Sequence, residues 1–232
     1  MCFSAEASFA ASAALATVSL ASASSAKSKK LRWFAFIPLA FSVQQAIEGF
    51  QWLAPKPSLL STVLGYGFLF FAFLAWLVVV PTAASLIEPE KNRKKLMRYL
   101  SWVGIGGAGY MLWFLLTEPL AVCVTNRSID YQINIPYLEY GLMIYVLVTC
   151  GSLLLSSLKN IRLFGWLTFF GLLVTIVAYR TTLTSVWCFF SAILSCLVFL
   201  EVARDIKINK IFQQSKEAVL KRIKKYENKK NP

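Results

Sequence analysis

The side chains most able to do chemistry in this sequence form a polar stripe within a long apolar stretch. Gln44, Glu48 and Gln51 stand at positions i, i+4 and i+7, which fall on one face of a helix, and Gln45 lies beside them. An ionisable group inside a membrane-spanning helix is costly, and it therefore indicates a functional site. Glu48 is the candidate catalytic residue, as a general acid or base, and also the candidate centre of a ligand site.

Other charged residues are expected at the same depth, near the ends of neighbouring apolar stretches. Together they predict a polar cavity that opens to the outside, in which Glu48 either pairs with Arg180 or binds a ligand. The alternative is that the single carboxylates only meet water at the membrane interface. The residues in question are Glu6, Glu118, Glu139 and Arg180.

The composition shows what kind of scaffold must position these groups. Of the 232 residues 57% are hydrophobic and 15% are charged, and the mean hydropathy is +0.60. Soluble domains are about 45–50% apolar and about 25% charged, so this chain needs a solvent other than water. A soluble enzyme, a nucleic-acid-binding module and a disordered protein are therefore excluded.

Seven stretches are long and apolar enough to cross a membrane as helices. None of them alternates with period 2, as the strands of a membrane barrel would. The predicted fold class is therefore an all-α membrane protein, a bundle of seven transmembrane helices. The stretches are 3–24, 33–54, 59–87, 99–122, 136–158, 163–180 and 183–203.

The positive charges predict the orientation of this bundle. Lys and Arg in short loops stay on the cytoplasmic side, and 21 of the 24 basic residues fall in the first, third and fifth connections and the tail. This places the N-terminus outside and the C-terminus in the cytoplasm. It also explains the net charge of +13 without nucleic acid. Residues 1–203 form the predicted transmembrane domain, and residues 204–232 form a basic amphipathic cytoplasmic tail.

The first stretch and the cysteines leave alternatives open. No base precedes the first stretch, which favours an uncleaved helix over a signal peptide. Cys2 and Cys123 both fall at the predicted outer surface, where a disulfide is permitted, and Cys2 would be a reactive N-terminal thiol if Met1 were removed. The chain has no histidine and no cysteine pattern for a metal, so we expect no metal and no cofactor.

Several strings resemble an uncharacterised family of bacterial integral membrane proteins whose members begin Met-Cys-Phe-Ser-Ala. They are MCFSAEASF at 1–9, FIPLAFSVQQAIEGFQWLAP at 36–55, WLVVVP at 76–81, NRSIDYQINIPY at 126–137 and SVWCFFSAILS at 185–195. The resemblance implies a multi-pass protein of the bacterial cytoplasmic membrane and supplies no activity. It adds Trp52 and Trp187 to the candidate ligand-binding residues, because both lie in shared strings.

Three functions remain open from the sequence. The first is a binding, sensing or transport protein with an outward-facing polar cavity centred on Glu48. The second is an intramembrane enzyme that uses Glu48 on a lipid or an isoprenoid-like amphiphile, and the third is a structural or assembly partner. The expected partners are membrane lipid and a small amphiphilic or cationic ligand, and the sequence does not indicate an oligomeric state.

Overall fold

The computed structural model describes residues 4–26, 29–125 and 127–204. Cys2 lies outside the described residues. So does the predicted tail beyond residue 204.

The described chain is mostly helical, with one short β-hairpin. In chain order its elements are α1 (Ala5–Ser25), α2 (Lys29–Ala35), α3 (Ile37–Leu53), α4 (Leu59–Leu69), a π-helical turn (Phe70–Ala75), α5 (Trp76–Ile87), α6 (Lys91–Thr117), β1 (Ala121–Thr125), β2 (Ser128–Gln132), α7 (Leu138–Leu154), α8 (Lys159–Ala178), a 3-10 turn (Arg180–Thr182) and α9 (Leu183–Leu194). Helical structure extends beyond α9 as far as residue 204.

Five helices in the described part of the chain are long and apolar enough to cross a membrane. This supports the expectation of a helical membrane protein. The sixth apolar helix, α7, is shorter at 17 residues. The five are Ala5–Ser25, Leu59–Ile87, Lys91–Thr117, Lys159–Ala178 and Arg180–Arg204.

The second predicted stretch, 33–54, is divided between α2 and α3. The division falls at Phe36, and Pro38 stands in the first turn of α3. Proline has no N–H to donate to the carbonyl four residues earlier, so a helix that continued from α2 would lose a hydrogen bond there. The chain therefore ends one helix and begins the next, and α3 carries the polar stripe by itself.

The hairpin is a difference from the all-α prediction. α6 ends at Thr117, and Val122 belongs to β1, where it pairs with Tyr131 of the antiparallel strand β2. Leu120 and Val122 pack over Gly65, where an added Cβ would meet each side chain at 2.9 Å. The hairpin thus covers the end of the bundle where α4 begins, which we call the hairpin end.

At the opposite end of the bundle lie the connections that carry most of the positive charge, and we call it the basic end. Glu88, which is buried, accepts hydrogen bonds from the Ser156 hydroxyl at 3.0 Å and the Ser157 backbone N–H at 2.9 Å. Arg93 donates to the Leu155 carbonyl at 3.0 Å. These bonds hold the α5–α6 and α7–α8 connections together.

Candidate functional site

The polar stripe of α3 lies inside the protein. Gln44, Gln45, Glu48 and Gln51 each expose 0% of their surface. Buried polar groups are expensive unless they are hydrogen-bonded, so each side chain needs partners on the helices that pack against α3. Ser61 of α4 supplies one such partner, because its hydroxyl accepts a hydrogen bond from Gln51 Nε2 at 2.6 Å.

Glu48 is held by two other polar side chains. Gln45 Nε2 donates to Glu48 Oε2 at 3.3 Å, and the Ser185 hydroxyl of α9 donates to Glu48 Oε1. Hydrogen bonds to a carboxylate offset part of the cost of its burial. Glu48 therefore connects α3 to α9, and the sequence-predicted pairing with Arg180 is not among the contacts that the structure describes.

Gln44 makes the second link across the bundle. Its Oε1 accepts a hydrogen bond from Trp76 Nε1 at 2.8 Å, and the Trp76 ring stacks on Phe41 with centroids 3.8 Å apart. Cys188 of α9 lies close to Gln44 and Glu48. The polar cluster of Gln44, Gln45, Glu48 and Ser185 thus borders Cys188.

A cavity of about 510 Å³ lies at the hairpin end, on the other side of Cys188. Its walls come from the π-helical turn, α6, the hairpin and its following segment, α7, α8 and α9. Glu139 and Arg180 line it and are exposed, so they mark its mouth, while Trp187 and Cys188 are buried in its depth. Sites for small molecules typically have largely apolar walls with a few polar groups, and their volumes are about 300–1,000 Å³.

A second cavity, of about 30 Å³, continues inward from the first. The two share Tyr145, Trp187 and Cys188, and the deeper one also borders Thr149 and Thr168. One water molecule needs about 10–15 Å³, so the deeper cavity matches the size of about two waters. Its walls are mostly apolar, and Thr149, Thr168 and Ser191 bring the hydroxyl groups that border it.

The structure divides the sequence-predicted site residues into three groups. Gln44, Gln45 and Glu48 form the buried cluster, whereas Glu139, Arg180 and Trp187 line the cavity. Trp52, Glu6 and Glu118 belong to neither group. Trp52 is half-buried near the end of α3, Glu6 is exposed in the first turn of α1, and the backbone carbonyl of Glu118 accepts a hydrogen bond from Tyr66 at 3.4 Å.

Sequence reasoning missed several residues that border the cavity. Tyr131 and Ile133 reach it because the hairpin folds over the bundle, and Thr184 reaches it from α9. The alternation of Ile129, Tyr131 and Ile133 with the polar residues Ser128, Asp130 and Gln132 is the signal that could have indicated a strand. No such signal indicates that Thr184 lines the cavity while its neighbour Ser185 contacts Glu48.

Glu88 at the basic end was also missed as a buried group. Desolvation acts to raise the pKa of its carboxyl, but hydrogen bonds from Ser157, the Glu90 backbone N–H and Ser156 together lower that pKa below its ordinary value. The carboxylate thus remains ionised where it joins two connections. Its contacts are structural, and it lies at the opposite end of the bundle from the cavity.

The long apolar helices that surround a buried polar cluster define the class of this chain, a helical membrane protein. The chain belongs to a family of unknown function (DUF6629), whose model matches residues 1–212. This confirms the resemblance to an uncharacterised family. No curated protein and no solved structure matches the chain significantly.

Proposed function

We propose that this protein binds a small membrane amphiphile in the hairpin-end cavity, as part of sensing or transport. The observation that carries the proposal is the cavity itself, which combines apolar depth with two opposite charges, Glu139 and Arg180, at its mouth. An amphiphile matches this arrangement, because its chain favours the apolar walls and its head group favours the charged mouth. Glu48 is then a buried neighbour of the site, across Cys188, rather than its centre.

The proposal includes seven spans, with the N-terminus outside the cytoplasmic membrane of a bacterium. α7 and the α2–α3 pair are the two spans added to the five long helices. α3 alone covers about 26 Å at 1.5 Å per residue, close to the thickness of the hydrocarbon core, about 30 Å. The basic connections favour the cytoplasmic side for the basic end.

Labelling from outside the cell tests this orientation. Single cysteines at Arg127 in the hairpin turn and at Lys91 at the start of α6 give a matched pair of exposed basic positions. We expect a membrane-impermeant maleimide to modify R127C in intact cells and K91C only after permeabilisation. The reverse pattern would overturn the orientation.

Mass spectrometry of the gently purified protein tests binding. Loss of a charged hydrogen bond costs about 1.5–3 kcal/mol, so Arg180→Ala should lower ligand affinity by about tenfold or more. Arg127→Ala is the matched control, because Arg127 is also exposed at the hairpin end but does not line the cavity. We expect a co-purified amphiphile in the wild type and the control, and a strong loss in Arg180→Ala. Equal retention in both variants would refute the proposal.

Catalysis by Glu48 is the second candidate function. It is favoured by one contact, the hydrogen bond from Ser185 to Glu48, because a buried carboxylate with a hydroxyl partner can hold or release a proton. That proton lies one side chain from the cavity, across Cys188. If the chain is an enzyme, Glu48→Gln should still bind the amphiphile but no longer convert it, whereas a pure binding protein shows no conversion in either form.

A further inference from the structure

A third hollow lies beside the hairpin-end cavity, on the outer surface between α6 and α7. It measures about 430 Å³, and we call it the tyrosine groove. The groove and the hairpin-end cavity share two lining residues, Met111 and Gly141, which therefore form the partition between them. The residues that line the groove are Leu77, Val103, Gly106, Gly107, Tyr110, Met111, Tyr137, Tyr140, Gly141 and Ile144.

The partition is made of a flexible side chain packed against a glycine. Met111 is 4% exposed, and an added Cβ at Gly141 would lie 3.0 Å from its terminal methyl carbon. The methionine side chain thus packs directly against a residue that has no side chain. Methionine is unbranched and has three rotatable bonds, so Met111 is the part of the partition that can change position most easily.

The floor of the groove is shaped for a flexible hydrocarbon chain. An added Cβ at Gly106 meets nothing within 4 Å, and one at Gly107 meets only Leu77 Cδ1 at 3.5 Å. The walls are largely aromatic and aliphatic, and Tyr140 and Ile144 are 66% and 44% exposed. In a protein that spans a membrane, this surface faces lipid chains.

The mouth of the cavity indicates which head group accompanies that chain. Arg180 carries a positive charge and Glu139 a negative one, and both line the same cavity. A head group with an anionic phosphate and an ammonium would complement the two together. The chain of such a lipid would continue from the cavity into the groove.

We propose that the tyrosine groove is the lateral entrance to the cavity and holds one chain of a zwitterionic phospholipid whose head group lies between Glu139 and Arg180. Met111 opens and closes the entrance against Gly141. This inference rests on the proposed function, since it names the ligand class and the route to the same cavity.

Photocrosslinking in vesicles tests the route. The full chain is reconstituted in phosphatidylethanolamine and phosphatidylglycerol vesicles that contain a small fraction of phosphatidylethanolamine with a diazirine at the end of one chain. After irradiation, the crosslinked residues are mapped by mass spectrometry. We expect crosslinks both in the groove, at Ile144, and in the cavity, at Leu142 and Thr184.

Two glycines of α6 give a matched pair of variants. Gly106→Leu fills the groove, whereas Gly109→Leu places the same side chain in equally open space on the same helix, outside both hollows. We expect the cavity crosslinks to fall by about tenfold in Gly106→Leu, because the groove can no longer hold the chain, and to stay unchanged in Gly109→Leu. Gly107→Val is the second groove-filling variant if Gly106→Leu does not fold.

The outcomes separate the route from the proposed function. Equal cavity crosslinks in Gly106→Leu and Gly109→Leu would overturn the route. So would groove crosslinks without cavity crosslinks in the wild type. In both cases the proposed function stands if the co-purified ligand still depends on Arg180. Loss of that dependence overturns both proposals, because there would be no amphiphile for the groove to admit.

Discussion

A close contact between α5 and α6 depends on one proline and one glycine. Pro81 lies inside α5 and has no N–H to donate to the carbonyl of Leu77, four residues earlier. That carbonyl lies against Gly104 of α6, where an added Cβ would stand 2.0 Å from the oxygen and 3.0 Å from the carbonyl carbon. The substitution Gly104→Ala should therefore force α5 and α6 apart.

The size of the effect follows from these distances. A carbon atom and a carbonyl oxygen approach to about 3.3 Å, so the new methyl group must move about 1.3 Å from its ideal place. The obstacle is backbone rather than a flexible side chain, and Val148 Cγ1 at 3.1 Å blocks a sideways shift. Overpacking costs about 1–3 kcal/mol, and this site belongs at the upper limit. The better helix propensity of alanine returns about 1 kcal/mol, which leaves a loss of about 2 kcal/mol.

Thermal unfolding in detergent, followed by tryptophan fluorescence, measures this loss. For a chain of this size about 1 kcal/mol corresponds to about 2–4 °C, so we expect Gly104→Ala to unfold about 4–8 °C below the wild type. Gly106→Ala and Gly109→Ala are the controls, because an added Cβ meets nothing within 4 Å at either position. If Gly104→Ala unfolded at the same temperature as the controls, the proposed contact between Gly104 and the Leu77 carbonyl would be refuted.

Three further predictions concern stability. The pKa of Glu88 in the folded protein lies below the ordinary value of 4.5, so its carboxylate stabilises the fold above pH 4.5. That stabilisation is lost as the pH falls further through the folded pKa. Melting temperatures measured across this range should therefore fall with pH in the wild type by more than in Glu88→Gln. Gln44→Leu leaves the Trp76 indole N–H without its acceptor and should cost about 1–3 kcal/mol in chemical unfolding, and adding Trp76→Phe should recover part of that loss if the bond is its cause. Gly165→Ala places a Cβ 2.8 Å from Leu153 Cβ and should lower the melting temperature, whereas Gly171→Ala on the same helix, with its nearest contact at 3.9 Å, should not.

The helices were largely predictable from the sequence because a membrane imposes a simple local requirement. A segment that crosses hydrocarbon must be apolar over about 20 residues, and the stretch at 59–87 matches the helix Leu59–Ile87. The hairpin was not predictable in the same way. The predicted helical stretch at 99–122 extended to Val122, which the structure places in β1. The strands form because the two segments pair with each other and because Val122 and Leu120 pack over Gly65.

The candidate site shows the same division. Helical spacing placed Gln44, Glu48 and Gln51 on one face of α3, and the structure buries that whole face. Spacing within α3 carries no information about which helix the face meets. The contact with Ser185 depends on how α9, 137 residues later in the chain, is rotated against α3.

The sequence by itself determined the membrane class, the family and the helical face that carries buried polar groups. Each of these depends only on local composition, on motifs or on helical period. Only the tertiary structure decided which of these polar residues come together. Glu139 and Arg180 line the cavity, while Glu48 is buried with Ser185 as a hydrogen-bond partner. The reason is geometric: position along a helix predicts the depth of a residue, whereas its neighbours depend on how the helices rotate and pack against one another.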